Sequence, residues 1–376
     1  MKRIVVPVLS IAVGLVILIN FSCSKSSSSN SANGGGPDSI LINIGNNIIL
    51  PGYQALNVSV NSMDSAIIDF NAGPTSSKLT AVQSLFKSAY IAWQSASEYD
   101  GFGPAAVTSP TLAGLNIFPT TAARIDSNIA NGNTNINAFA NASAKGFPAL
   151  DYLLFGAGSN TLANYTTDAK AANRKLYLAA VSADIKTEVN TVVTAWLPSG
   201  GNYIKTFNSA TGNSIASSLG LLINSMDQDF EILKNDRLGI PLGKQAMGTV
   251  LPVAPNEVEA YYSGISAQLA LTQLKAVQGI YLGTGAQGNG HGLRDYLVKI
   301  SAKYNGGLLS DTLTNNFATA VTALQAIPDP FSATIQTNAA PATAVYVQTQ
   351  KLVVLLKTDM PSSLGVLITY GDNDGD

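Results

Sequence analysis

Along most of the chain apolar residues recur every three or four positions, the spacing that lines up one face of an α-helix. In residues 49–75, ILPGYQALNVSVNSMDSAIIDFNAGPT, a Pro stands at the helix start and a Gly-Pro break at its end. The next segment, TSSKLTAVQSLFKSAYIAWQSASEY, sets Val82, Leu85, Phe86, Ala89 and Trp93 on one face. From Asp168 to Trp196 the apolar set is Leu178, Val181, Ile185, Val189, Val192 and Trp196, and Pro198-Ser199-Gly200-Gly201 then stops the pattern at what reads as a domain junction. The second half repeats the theme. A helix is expected from about Asn213 to Asn235, ending at the Gly- and Pro-punctuated RLGIPLG. PNEVEAYYSGISAQLALTQLKAVQGIYLG reads as a helix with Val258, Tyr262, Ile265 and Leu269 on one face. Further helices are expected from Gly292 to Lys303, Leu308 to Ile327 and Ala339 to Lys357. The alternating GVLITYG (365–371) reads as a short strand with no sheet to join. Long amphipathic helices with short connections imply antiparallel helix bundles.

The N-terminus changes the picture. Lys2 and Arg3, an apolar run from Ile4 to Ile19 and then Ser22-Cys23 describe a lipoprotein signal peptide over residues 1–22, with Cys23 as the lipidated residue. The Ser-, Asn- and Gly-rich stretch that follows, residues 23–37, reads as a flexible tether. The remainder divides into one helical-bundle domain over 38–198 and a second over 199–376. A shared G-x-x-x-x-D-Y-L pattern, Gly146 to Leu153 and Gly290 to Leu297, hints at duplication.

Composition then removes whole classes of chemistry. A net charge of −2 offers no basic field for nucleic acid. Cys23 is the only cysteine, so neither a disulfide within the chain nor a thiolate metal site can form. His291 is the only histidine, which excludes HExxH zinc sites, two-His iron triads and bis-His haem ligation. The run GTGAQGNGHG lacks the GK[ST] ending and the strand–helix context of a phosphate loop, so His291 reads as an exposed loop residue beside Asp295. Asp372, Asp374 and Asp376 begin like a calcium loop but lack its later ligands, and read as an acidic tail.

Several segments, in order, resemble the imelysin-like proteins of bacterial envelopes: AYIAWQSASEYDGFGPA, LNIFPTTAARID, KGFPALDYLLF, KNDRLGIPLGK, PNEVEAYYSGIS and LGVLITYGDNDGD. The resemblance implies an all-α fold of two helical-bundle domains, a site at their interface, and a link to iron or haem uptake or to metallopeptidase activity. It places the family's Gly-x-His-x-x-Glu signature on Gly146 to Asp151, where the His is Pro148 and the Glu is Asp151. Proline has no side-chain donor or acceptor, so a ligand pair at that spacing is lost. The expected ligand-binding residues of the interdomain cleft are Trp93, Glu98, Gly146, Asp151, Glu259, Ser263 and Ser266. Asp151, Glu98 and Glu259 are the candidate metal donors, with iron or haem as the implied cofactor and no catalytic residue assigned. Each has a plainer reading as well. Trp93 fits a core, Asp151 a carboxylate favoured by a helix start, and Glu259, Ser263 and Ser266 at i, i+4 and i+7 a polar helical stripe. The expected protein is a lipid-anchored binding component of the envelope, on the periplasmic or outer face of the outer membrane, partnered by the bilayer and by iron, haem or another envelope protein. The alternatives are a metallopeptidase and a non-catalytic binder of glycans, peptides or partners.

Overall fold

The computed structural model describes residues 36–104, 113–244 and 251–370, all within one compact unit. Cys23, the expected leader, residues 23–35 of the expected tether and the expected acidic tail from Gly371 lie outside the described residues, and Pro37, expected to close the tether, instead opens the first helix. The chain opens with α1 (Pro37–Asn43), passes through a π-helical turn over Ile44–Ile49 and enters α2 (Leu50–Ala72). Next come α3 (Ser76–Gln94), α4 (Ala122–Ala130), α5 (Gly146–Phe155), the single turn α6 (Ala163–Thr166) and the long α7 (Ala171–Trp196). After the turn at Pro198–Gly201 follow α8 (Tyr203–Ser209), α9 (Ser218–Ile232) and α10 (Ser266–Leu282). The chain finishes with α11 (Leu293–Lys299), α12 (Leu309–Gln325), α13 (Phe331–Thr337), α14 (Ala340–Val354) and α15 (Met360–Leu364).

The all-α class follows from burial of the helical stripes. On α3, Val82, Phe86, Ala89 and Trp93 are buried, and on α7 all six residues of the expected stripe are. α2 packs between α3 and α7; α3 packs on α5 and α10; α10 packs on α12, which packs on α14. Helices from the two sides of the Pro198–Gly201 turn therefore meet directly, α3 against α10, and the apolar residues of both join one core cluster. Among the described residues no helix is long and apolar enough to cross a membrane.

Several local expectations are corrected. The helix expected over residues 255–283 begins only at Ser266; before it come a 3-10 turn at Pro255–Glu257 and an irregular loop. Ala260 (φ 52°) and Gly264 (φ 65°) take left-handed backbone conformations there, which no continuous α-helix contains. The helix expected over 213–235 starts at Ser218, where the Ser217 hydroxyl accepts from the amide of Gly220. It then runs on through RLG as a π-helical turn, Leu233–Gly239. Residues 366–369 of GVLITYG form no strand. The short strands that do form make two hairpins, β1 (Thr284–Gly285) with β2 (Gly288–Asn289) and β3 (Lys303–Tyr304) with β4 (Gly307–Leu308). The glycine-rich run before His291 is thus a hairpin. Its amides at Ala286 and Gln287 donate to the backbone carbonyl and side chain of Asn47.

The start of α5 is fixed by Gly146, which sits at φ 73°, where a Cβ would lie 2.1 Å from the carbonyl oxygen of Leu115. Left-handed backbone and a close backbone approach both demand glycine here. Gly146→Ala is expected to lower the unfolding free energy by about 3 kcal/mol. A urea titration checks it; a midpoint unchanged from wild type would show that the 115–146 contact can yield.

Candidate functional site

The signature segment is built against α3. Phe147 stacks on Tyr90 with ring centroids 4.9 Å apart and lies 6.2 Å from Trp93. This packing points Asp151, about one turn further on, toward the loop that precedes α10. Its carboxylate is 2% exposed and accepts from two consecutive backbone amides, Tyr262 N to Oδ2 at 2.8 Å and Ser263 N to Oδ1 at 2.9 Å. Burial pushes its pKa up to about 6, with the two amides pulling the other way. Asp151 therefore caps the backbone of a loop more than a hundred residues away. Asp329 does the same for the first turn of α10, accepting from the amides of Ala267 and Gln268.

The same loop is tied inward by Glu259, which is 1% exposed. Its Oε2 receives Arg237 Nε at 2.7 Å, and its Oε1 receives Gln94 Nε2 at 2.5 Å and Asn116 Nδ2 at 2.7 Å. The Ser266 hydroxyl donates to the Glu259 carbonyl and closes the loop onto the head of α10. Arg237 is carried into this network by the π-helical turn after α9, and its guanidinium lies over the Phe118 ring, 5.7 Å from the centroid.

Beyond Arg237 lies a second group of buried acids. Asp229 accepts from Ser97 and from Gln273, the latter at 2.5 Å. Glu98, fully buried, has both carboxylate oxygens without a partner among the described residues. Burial, then the neighbouring Asp229, hold its pKa well above the usual carboxylate range. The same two causes push Asp100 up to about 7. Arg237 Nη1, Gln94 Oε1, Gln273 Oε1 and Trp93 Nε1 are likewise buried and unpartnered.

On the outer side of the 258–264 loop is a cavity of about 360 Å³. Phe118, Tyr261 and Tyr262 give it aromatic walls, Pro119 and Pro148 add apolar surface, and Asp151, Glu257, Asn256 and Thr120 are its polar members. Val258 and Ala260 line it while Glu259, between them, turns its carboxylate to the interior network.

The expected site residues separate into three roles. Asp151, with Pro148, lies at the cavity. Glu259, Ser263 and Ser266 belong to or abut the loop that forms its wall, but as anchors of a turn and not as a helical stripe. Trp93 and Gly146 are packing and backbone residues. Glu98 is buried in the second acidic group, where its neighbours are Asp229, Asp100 and Arg237 and not Asp151. The three expected metal donors thus lie in three different settings, and among the described residues no group of three or more His, Cys, Asp or Glu is arranged to hold a metal ion. At the signature itself the residues present do not fit one, because Pro148 offers no donor and Asp151 is committed to amides. Arg237, Asn116, Gln94, Asp229 and Tyr261 escaped the sequence reading. The available signal was the charged cluster Lys234, Asp236 and Arg237 set between apolar residues in ILKNDRLGIPLG.

With the fold and this geometry in hand, the relatives can be placed. The family model described as imelysin (peptidase M75) matches residues 49–358, so the chain belongs to the imelysin family. A crystal structure from Parabacteroides distasonis ATCC 8503, of a protein described provisionally as an iron-regulated protein A precursor, superposes with a TM-score of 0.71 at 16% identity, over 89% of this chain and 97% of that one. An imelysin-like protein from Psychrobacter arcticum 273-4 superposes with a TM-score of 0.65 at 19% identity, over the same shares, 89% and 97%. No curated protein matches the chain.

Two expectations follow from the carboxylates. Asp151→Ala leaves two loop amides without an acceptor and should cost about 1–3 kcal/mol for each that stays buried, whereas Asp151→Asn retains one acceptor and should cost less. Equilibrium unfolding of the two variants measures the difference. The raised acids also set the pH dependence. A carboxyl whose folded pKa exceeds its unfolded value binds its proton more tightly in the native state, so stability rises as pH falls through the interval between the two values. With Asp100 at about 7 and Asp151 at about 6 against ordinary values of 3.8, the thermal midpoint should be higher at pH 5 than at pH 8, and Asp100→Asn should flatten the upper part of that slope. A midpoint that falls from pH 8 to pH 5 would contradict this.

Proposed function

We propose that this chain is an envelope protein, tethered through Cys23, that holds a small ligand in the cavity beside Asp151 and does not cleave peptide bonds. The observation that carries the reading is the state of the signature. Where a metallopeptidase needs a metal-bound water activated by converging donors, Pro148 contributes none and both Asp151 oxygens are occupied by backbone amides. What remains is a cavity of a size suited to small ligands, with aromatic walls and a few polar groups. Membership in the imelysin family, and a structural relative described as iron-regulated, support a role in iron acquisition.

A second reading has its own observation. Glu98 with two bare oxygens, beside Asp229 and the unpartnered Gln273 Oε1, presents hard oxygen donors of the kind that suit a cation such as iron. It would place a metal inside the protein and away from the signature.

Metal analysis separates these. The full chain, Asp151→Asn and Glu98→Gln are each equilibrated with iron, zinc and calcium, desalted and analysed by mass spectrometry, alongside a casein-cleavage assay with and without zinc. The ligand-holding reading expects no cleavage and no metal that depends on Asp151. Stoichiometric iron lost in Glu98→Gln but kept in Asp151→Asn would establish the interior site. Zinc-dependent cleavage abolished by Asp151→Asn would overturn the proposal.

A further inference from the structure

We propose that the cavity beside Asp151 takes an organic cation, an alkylamine or quaternary ammonium group carrying an apolar body. The inference rests on reading this cavity as ligand-holding and adds the chemical class of the ligand.

The first argument is charge. The lining contains two ionisable carboxylates, Asp151 and Glu257, and no Lys, Arg or His. Neither acid has an ion-pair partner among the described residues. Asp151 is met by amides, which stabilise a carboxylate without neutralising it, and Glu257 is half-buried at the 3-10 turn. An anionic ligand, such as a haem bearing two propionates or a phosphorylated molecule, would enter against two like charges. A neutral ligand would strip water from Glu257 and offer only neutral hydrogen bonds in return, a net cost for a charge being buried. Lys87 acts on Asp151 only from outside the lining, so a cation in the cavity supplies the counter-charge that the lining itself lacks.

The second argument is the walls. Tyr261 and Tyr262 meet nearly at right angles, with an interplanar angle of 83°, and both line the cavity with Phe118. Aromatic faces attract cations through the ring quadrupole, and grouped aromatic rings are the recurrent device for ammonium groups. Phe118 already performs this role toward the Arg237 guanidinium. Tyr261 lines the cavity while remaining 38% exposed, so its ring is open to a ligand arriving from solvent.

The third argument is rigidity. The wall that carries Tyr261 and Tyr262 is the loop fastened by Asp151, by Glu259 with Arg237, Gln94 and Asn116, and by Ser266. A loop held at this many points presents its rings in a fixed arrangement, so little ordering cost falls on binding.

The test is isothermal titration of the full chain with three probes: phenyltrimethylammonium, N-acetylglucosamine and benzoate, each at low and at high salt. The expected result is one site for phenyltrimethylammonium, weakened by salt, and none for benzoate. Glu257→Gln and Tyr261→Ala, both at the cavity's outer side, should each weaken that site by about tenfold without moving the thermal midpoint. Binding of N-acetylglucosamine with no response to the ammonium probe would overturn the cationic class while leaving the cavity as the binding site. Ammonium binding indifferent to both substitutions would overturn it as well. No response to any probe would also overturn it, and the metal and cleavage measurements above would then decide the broader reading separately.

Discussion

A single buried ion pair, Glu259 with Arg237, sets the terms for the middle of this molecule. Both side chains are almost wholly removed from water, at 1% and 4% side-chain exposure. Charges so placed are tolerated only with close geometry and further hydrogen bonds. Glu259 obtains these from Gln94 at the end of α3 and from Asn116, whose own carbonyl accepts from Tyr90 at 2.6 Å. Four segments far apart in the chain must therefore converge on one carboxylate. Removing either partner would strand a buried charge, at a cost of about 3–5 kcal/mol. The π-helical turn at Leu233–Gly239 belongs to this account, since it is the element that carries Arg237 to the carboxylate.

One wall of the cavity is the loop which that pair fastens. The loop over 258–264 reverses direction through left-handed residues at Ala260 and Gly264, which would leave a run of backbone amides unpaired. Asp151 meets two of them from α5, and Glu259 fixes the same loop from inside. The carboxylate that replaces the signature glutamate is thus spent on shape. That arrangement holds two tyrosines as a firm wall beside an acidic, aromatic hollow.

How much of this could be read from the sequence depended on range. Helical stripes are local, so the faces of α3 and α7 were legible from Val82 to Trp93 and from Leu178 to Trp196. The position of the signature was legible too, but through the resemblance of KGFPALDYLLF to the family's segment, whereas the left-handed backbone of Gly146 emerged only in the fold. The loop before α10 was not. Its apolar spacing at Val258, Tyr262, Ile265 and Leu269 imitates a helix, and what overrides it is hydrogen bonding from Asp151, a contact 111 residues distant. Polar pairings at such separations leave no periodic trace. The same holds for Arg237, whose role depends on a partner 22 residues downstream.

The hairpin before His291 carries a consequence for the order of assembly. Asn43 donates to the carbonyls of Gly283 and His291, while Asn47 donates to Gly288 and accepts from Gln287, so the junction of α1 and α2 is latched by residues about 240 positions later. A chain that leaves the ribosome, or crosses a membrane, from its N-terminus exposes α1 long before its clasp exists. Closing so large a loop is entropically slow and comes after the local helix contacts. The first helix of the described fold is accordingly among the last parts of it to be secured.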